Sequence, residues 1–232
     1  MPNQRLSFIS DKIRESDASL SLVHRFCVVA AELLRAQSAS IALVIDQAYS
    51  AIAASSPLGT LLEEQQFAFG DGPTYDSRES PIPIIVEDMT DRHSAQKWPA
   101  FAPVASKHDI RAVYAFPLRV GSAYLGVLTV YRVEHGEPTA QEYADGLILA
   151  ALATNELVRQ QAGIAAGDVL SSSEPGLSDQ STVQIAAGMV AEALNCSIVS
   201  ALVRIRARAF ADDKPVNDIA RAIVARELIL TK

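Results

Sequence analysis

Two side chains with catalytic potential lie close together near the start of the chain. His24 and Cys27 are three residues apart in a stretch that predicts a helix, so an imidazole base and a thiol could meet on one helix face. A nucleophilic thiol also needs a group that orients its base and a site that stabilises an oxyanion. The neighbouring sequence encodes neither, and we therefore predict that both residues pack near the boundary between the helix and the sheet.

Acidic residues and two further histidines are candidates for a metal site. Asp71, Asp76 and Glu79 follow a glycine-rich turn, and we interpret them as a solvated turn. His93 and His108 have no partners at metal-ligand spacing. The chain also has no phosphate-binding glycine loop followed by Lys-Ser or Lys-Thr. The sequence therefore predicts no metal site, no cofactor and no catalytic activity.

Basic residues cluster in the last quarter of the chain. The net charge is −7, but residues 181–232 contain seven basic and five acidic residues, a balance of +2 that leaves −9 for the remainder. Arg204 and Arg208 are one helical turn apart and project together, while Arg206 lies on the opposite flank. Guanidinium groups contact phosphates and stack on unpaired bases. The difference in net charge between the two parts of the chain indicates an acidic regulatory part joined to a mildly basic part that binds nucleic acid.

The segment that carries these arginines, Ser181–Leu230, predicts three short helices. Apolar residues recur in each of them at spacings of three and four, which marks one buried face per helix. Ser197 can cap the second helix, and Pro215 fits the first turn of the third.

Four motifs of this segment carry a resemblance: Ala186-Ala187-Gly188-Met189, Ala201-Leu202 followed by Ile205-Arg206, Ala209-Phe210, and Lys214-Pro215-Val216 leading to Ile219-Ala220. With these motifs the segment resembles the ANTAR output domains of bacterial antiterminators, which bind paired RNA stem-loops in nascent transcripts and prevent termination. The family often has Gln where Ile185 stands and Lys where Ala187 stands. The resemblance implies a three-helix all-α domain whose RNA contacts come from Ala187, Gly188, Arg204, Arg206, Arg208, Lys214 and Arg221.

The preceding stretch predicts an α+β domain built around an antiparallel sheet. Ala18–Ala36 and Thr139–Gln161 have the apolar spacing of amphipathic helices. Arg111–Val120 and Tyr124–Val133 are the clearest strands, joined across Gly121-Ser122. Shorter elements are expected at Ile41–Asp46, Ala51–Ala54 and Ile82–Glu87 for strands and at Leu58–Phe69 for a helix.

Several motifs in this stretch occur in a recognisable order: Phe69-Gly70-Asp71-Gly72-Pro73, Trp98-Pro99-Ala100-Phe101, Phe116-Pro117-Leu118 and Leu125-Gly126-Val127-Leu128. They resemble those of a GAF domain, of the kind that precedes ANTAR in actinobacterial regulators. The resemblance implies a sensor whose sheet encloses a pocket for an unknown small molecule. The aromatic residues that could line it, or could equally fill a core, are Phe69, Tyr75, Trp98, Phe101 and Tyr114. The asparagine-lysine signature of cyclic-nucleotide-binding GAF domains and a bilin-attaching cysteine are both missing.

The expected organisation is an N-terminal arm at 1–17, a GAF-like sensor at 18–162, a linker at 163–180 and an ANTAR-like RNA-binding domain at 181–232. No apolar run is long enough to span a membrane, so we expect a cytoplasmic protein with no membrane partner. The two long helices carry more apolar surface than one sheet face can cover, which predicts a homodimer. Two alternatives stay open: a DNA-binding regulator with a helix-turn-helix-like tail, and a GAF-based protein-interaction module that binds no nucleic acid.

Overall fold

A computed structural model describes residues 2–45, 48–163, 178–212 and 214–230 of the chain. The chain divides into two compact units, Met1–Leu43 with Ala51–Ser172 and Val44–Ser50 with Ser173–Lys232. Most of the predicted linker, residues 164–177, lies outside the described residues.

A five-stranded sheet in the order β2-β1-β5-β4-β3 forms the centre of the first unit. Its strands are β1 (Ser38–Ile45), β2 (Ala48–Ala54), β3 (Ile84–Val86), β4 (Ala112–Val120) and β5 (Ala123–Arg132). Strands β4 and β5 form an antiparallel hairpin with an irregularity between Leu118 and Arg119, and β1 and β3 pair antiparallel on either side of it. The predicted α+β architecture with an antiparallel sheet is confirmed.

Seven helices of the first unit connect and cover the strands within the described residues. They are α1 (Pro2–Glu15), α2 (Leu22–Leu33), α3 (Pro57–Phe69), α4 (Pro73–Asp76), α5 (Arg92–Lys97), α6 (Phe101–Lys107) and α7 (Ala140–Gly163). Helices α2 and α7 lie on one sheet face, where Gly146 of α7 leaves room for the ring of Phe116. On the other face, an apolar core that includes Trp98, Phe101 and Val113 packs beneath α3 and α6. The sheet is thus covered on both faces.

The N-terminal arm predicted at 1–17 is largely helical, as α1. Its residues Ile9 and Ile13 are buried. Arg5 Nε donates a hydrogen bond to Asp145 Oδ1 of α7 at 2.8 Å. Apolar contacts and an ion pair therefore attach α1 to the unit, which the mixed polar sequence did not indicate.

Three helices form the C-terminal part of the second unit: α8 (Ser178–Leu194), α9 (Ile198–Ala211) and α10 (Val216–Val224). Ser197 caps α9 as predicted, because its Oγ accepts a hydrogen bond from the Ser200 amide at 3.1 Å. Each helix turns one apolar face to the other two. The buried residues are Val183, Ala186, Ala187, Val190, Ala201, Leu202, Ile205, Ala209, Val216, Ile219, Ala220 and Ile223.

Candidate functional site

A cluster of hydrogen-bonded polar side chains is buried between α3 and the sheet. At its centre, Glu63 Oε1 accepts hydrogen bonds from Ser40 Oγ at 2.7 Å, Thr74 Oγ1 at 3.0 Å and Tyr131 OH at 2.5 Å. All four residues are almost inaccessible to solvent. A buried carboxyl group is tolerated only where such donors replace water. These donors come from β1, β5 and α4, so the carboxyl group joins three separate elements.

Gln66, one turn further along α3, extends the cluster. Its Nε2 donates to Thr74 Oγ1 at 2.9 Å and to Tyr131 OH at 2.8 Å, and its Oε1 accepts from the Thr74 amide at 2.9 Å. Thr74 Oγ1 also bonds Thr129 Oγ1 at 2.8 Å. Gly72 makes this approach possible: its φ is +134°, and an added Cβ would lie 2.2 Å from Gln66 Oε1. The glycine-rich turn therefore leaves the space that the Gln66 side chain occupies in the cluster.

Burial sets the protonation chemistry of this cluster. It raises the pKa of Glu63, and the hydrogen bonds from Tyr131, Ser40 and Thr74 only partly oppose the shift. Burial also raises the pKa of Tyr131, and the neighbouring Glu63 adds to that shift. Both effects favour the uncharged forms of the two groups. The cluster is accordingly most stable as a network of neutral donors and acceptors.

The His24 and Cys27 pair on α2 is placed for packing. Cys27 is fully buried, and this burial raises the pKa of its thiol well above the ordinary value. The reactive thiolate is therefore disfavoured. His24 Nδ1 lies 2.7 Å from the hydroxyl of Ser21, the residue that caps α2.

Two of the three acidic residues after the glycine-rich turn differ from the solvated turn that we predicted, whereas Glu79 is exposed. Asp71 Oδ2 accepts hydrogen bonds from the amides of Ala100 and Phe101 at 2.8 and 3.1 Å, and so caps the start of α6. Asp76 Oδ2 accepts from Trp98 Nε1 at 3.1 Å. These bonds anchor the segment from Trp98 to Phe101 to the glycine-rich turn and the short helix that follows it. Within the described residues, no group of three potential metal ligands is close enough to hold an ion.

The five aromatic residues predicted to line a pocket are not brought together. Trp98 and Phe101 are buried in the apolar core beneath α3 and α6. Tyr114 belongs to the opposite sheet face, where its hydroxyl donates to the Gly136 carbonyl at 2.7 Å. Phe69 is 37% exposed at the end of α3, and Tyr75 is half-buried. The polar cluster around Glu63, and not an aromatic cage, is the distinctive feature of the face where the pocket was predicted.

In the second unit, the predicted RNA-binding residues separate into buried and exposed groups. Ala187 has no exposed surface, so its side chain packs between helices; this corrects the expectation that it contacts RNA. Gly188 is exposed, and a Cβ added there would meet nothing within 4 Å. The difference follows from helix geometry, because adjacent residues project about 100° apart.

The basic side chains of the second unit lie at or near its surface. Arg204, Arg208, Lys214 and Arg221 are exposed, and Arg206 is half-buried. Arg208 Nε pairs with Asp212 Oδ2 at 2.8 Å, and Arg221 Nη1 pairs with Asp218 Oδ1 at 3.2 Å. Both are pairs within one helix or at its end, and such exposed pairs contribute little stability. Their arginines can exchange these partners for another anion at low cost.

The most exposed large apolar residue in the described part of the second unit is not among the predicted site residues. Phe210 is 91% exposed at the end of α9, and Val203, seven residues earlier on the same side, is 56% exposed. A spacing of seven residues is close to two helical turns, so the sequence signal was present. The family motif Ala209-Phe210 does not by itself distinguish the buried alanine from the exposed ring.

Comparisons with solved structures show a shared fold over the first unit. The GAF domain of a phosphoenolpyruvate-protein phosphotransferase from Coxiella burnetii is similar with a TM-score of 0.53 and 20% identity, over 70% of this chain and 95% of that one. Free methionine-R-sulfoxide reductase from Neisseria meningitidis has a TM-score of 0.51 and 14% identity, over 70% of this chain and 92% of its own. The GAF domain of a phosphoenolpyruvate-protein phosphotransferase from Acinetobacter has a TM-score of 0.50 and 15% identity, over 72% of this chain and 99% of that one. These likenesses concern the fold alone.

Comparison with known protein families assigns this chain to one of them. A search of curated proteins found no match. Within the described residues, none of the helices combines the length and apolar character that crossing a membrane requires. The profile of the GAF domain matches residues 20–164, well over half of the chain. The chain therefore belongs to the GAF domain family, a family of sensory and signalling modules.

Proposed function

We propose that this chain is a cytoplasmic transcription antitermination regulator in which a GAF sensor, 18–162, is joined to an ANTAR-like RNA-binding domain, 181–232. It acts without catalysis. By binding paired stem-loops in nascent RNA, the C-terminal domain prevents the terminator from forming. The signal is a small molecule or another input received by the GAF domain.

The observation that carries the proposal is the cationic side of α9. Arg204 and Arg208 are exposed one turn apart, and Lys214 follows just beyond the helix. Arg204 and Lys214 make no side-chain ion pair or hydrogen bond within the described part of the chain. Separated cations on one helix suit the repeating phosphates of a nucleic-acid backbone.

Gly188 allows the RNA backbone to approach the backbone of α8 closely. The open space around its Cα means that a phosphate or sugar can reach the surface of α8 there without meeting a side chain. Because Ala187 is buried, this role belongs to Gly188 alone. Of the two small residues expected to contact RNA, only Gly188 is open to it.

We further propose that the protein acts as a homodimer through α1 and α7. Leu147 and Val158 of α7 are 44% and 39% exposed, and Leu6 and Phe8 of α1 have comparable exposure. Helices α1 and α7 pack against each other, and exposed apolar residues on both of them suit a surface that another chain covers. A dimer would also present two RNA-binding domains to the two stem-loops. Sedimentation that returns only monomer at micromolar concentration would exclude this arrangement.

The test compares binding of paired stem-loop RNA and of duplex DNA by mobility shift. We expect the RNA to bind more tightly, and Arg204→Ala to weaken it and to lower the dependence of log K on log salt by about 0.7 to 0.9. Lys107→Ala is the matched control, because it removes one exposed cation from the end of α6, outside both the second unit and the proposed dimer surface. Preference for duplex DNA would favour a DNA-binding regulator, and binding of neither would favour a protein-interaction module.

Gly188→Leu tests the close approach separately from charge. The added side chain enters open space, and replacing a helical glycine removes a penalty of up to ~1 kcal/mol, so the helix should not be weakened. RNA binding should nevertheless fall, because the leucine occupies the space that the RNA would use. Unchanged RNA affinity would show that α8 does not face the RNA.

A further inference from the structure

An apolar stripe runs along the exposed side of α9. It consists of Val203, Ala207 and Phe210, whose spacings of four and three residues place them on one side of the helix. The buried residues Ile205 and Ala209 lie on the side that packs against α8 and α10. Phe210 is the extreme case, since 91% of it is exposed. An aromatic ring in this position obtains almost no burial from its own chain, which indicates that it is used for contact with another molecule.

Positive charge borders this stripe on both flanks. At 100° per residue, Arg204 and Arg208 lie beyond Ala207 on one flank, and Arg206 lies on the other. A second copy of the chain docked on the same stripe would bring the arginines of both copies together, because such an interface pairs identical surfaces. Like charges at that distance repel each other. The occupant that fits is therefore an anion that also carries flat apolar surfaces.

Unpaired nucleotides combine these two properties. Their phosphates suit the arginines, and their bases expose faces on which an aromatic ring can stack. In a duplex those faces are already stacked on neighbouring base pairs and are unavailable to Phe210. The stripe is thus matched to loop nucleotides and not to the paired stems.

We propose that Phe210 stacks on an unpaired loop base, and that the arginines beside it hold the adjacent phosphates. This proposal rests on the RNA-binding function proposed above and adds to it a residue that distinguishes loops from stems. Phe210 supplies no charge, so its contribution differs from that of Arg204 in being insensitive to salt.

The experiment uses the full chain and a paired stem-loop RNA with 2-aminopurine at one loop position at a time. Binding of the wild-type protein should quench the fluorescence at the stacked position. Phe210→Ala should abolish that quenching and weaken binding roughly five- to hundredfold, the loss expected for one base–aromatic stack, while the salt slope stays unchanged. Phe210→Trp should retain both signals, because it keeps a flat aromatic face. Phe210→Leu should behave as Phe210→Ala, because it keeps apolar bulk without an aromatic face.

The controls separate the possible failures. Because the ring is exposed, circular dichroism of all three variants should match that of the wild-type protein. Wild-type affinity in Phe210→Ala would overturn the stacking proposal and leave RNA binding intact. Full binding by Phe210→Leu would overturn it in favour of a general apolar contact. A wild-type dimer that Phe210→Ala converts to monomer without loss of RNA affinity would assign the stripe to self-association. If the wild-type protein binds no stem-loop RNA, both proposals fall together.

Discussion

The hydroxyl of Tyr131 offers the most direct test of the buried polar cluster. It donates to Glu63 Oε1 at 2.5 Å and accepts from Gln66 Nε2 at 2.8 Å, while its ring belongs to the apolar core. Tyr131→Phe removes both hydrogen bonds and leaves the ring in place. Each such bond contributes about 1 kcal/mol net, so the expected loss is about 2 kcal/mol in the free energy of unfolding.

The remaining bonds of the cluster limit the loss to that value. Glu63 Oε1 still accepts from Ser40 and Thr74, and Gln66 Nε2 still donates to Thr74, so neither atom is left without a partner. A buried group left without any partner would add a further penalty. For a domain of this size, about 2 kcal/mol corresponds to a fall in Tm of about 4–8 °C.

Trp98 makes the measurement specific to the first unit. It is the only tryptophan of the chain, and it is 3% exposed in the same core as the Tyr131 ring. Its fluorescence during urea or thermal unfolding therefore reports on the GAF domain. Tyr143→Phe is the matched control, because the Tyr143 hydroxyl makes no hydrogen bond with the residues that the structure describes. If Tyr131→Phe costs no more than Tyr143→Phe, the cluster does not stabilise the domain and the reasoning fails.

Two further predictions follow from burial. The raised pKa of Glu63 means that the folded chain keeps a proton that the unfolded chain has lost, so stability should fall by about 1.4 kcal/mol per pH unit as pH rises from the unfolded pKa to the folded one. Glu63→Gln should remove this fall in the Trp98 unfolding curves; an equally steep fall in the variant would assign it to another group. Ala187→Lys should lower the melting temperature of the part of the helical signal that comes from α8, α9 and α10 without changing that of Trp98, because it buries a cation in the second unit. Tighter RNA binding with normal melting would instead show that position 187 can reach the RNA.

The sheet could be predicted from the sequence because its strands have clear signals. Strands β4 and β5 are rich in β-branched and aromatic residues, and Gly121-Ser122 marks their turn. The orientation of β4 could not be predicted in the same way. Its two faces are both covered, so apolar residues occupy consecutive positions and no alternation shows which side each one faces. The sequence therefore predicts Tyr114 on the pocket side of the sheet. In the structure, its neighbour Val113 faces that side and Tyr114 faces the other.

The buried polar cluster could not be predicted for a related reason. The stretch Leu62-Glu63-Glu64-Gln65-Gln66 has the composition of a solvent-exposed helix face, and charged residues are rarely buried. Only the pairing of α3 with Ser40 and Tyr131 of the sheet turns Glu63 and Gln66 into interior residues. Each of those partners is distant in sequence, and a local pattern contains no information about them.

The contrast between Ala187 and Gly188 shows why small residues alone do not identify a nucleic-acid surface. A small side chain is needed wherever two backbones approach each other, whether the second backbone belongs to another helix or to RNA. Packing explains Ala187 completely, because Val183, Ala186 and Val190 are buried with it. It does not explain Gly188, since a methyl group there would contact nothing within 4 Å and a helical glycine reduces stability. A glycine that its own fold does not require is the stronger indication of an external partner, and in this chain it lies on α8, one of the three helices that form the proposed RNA-binding domain.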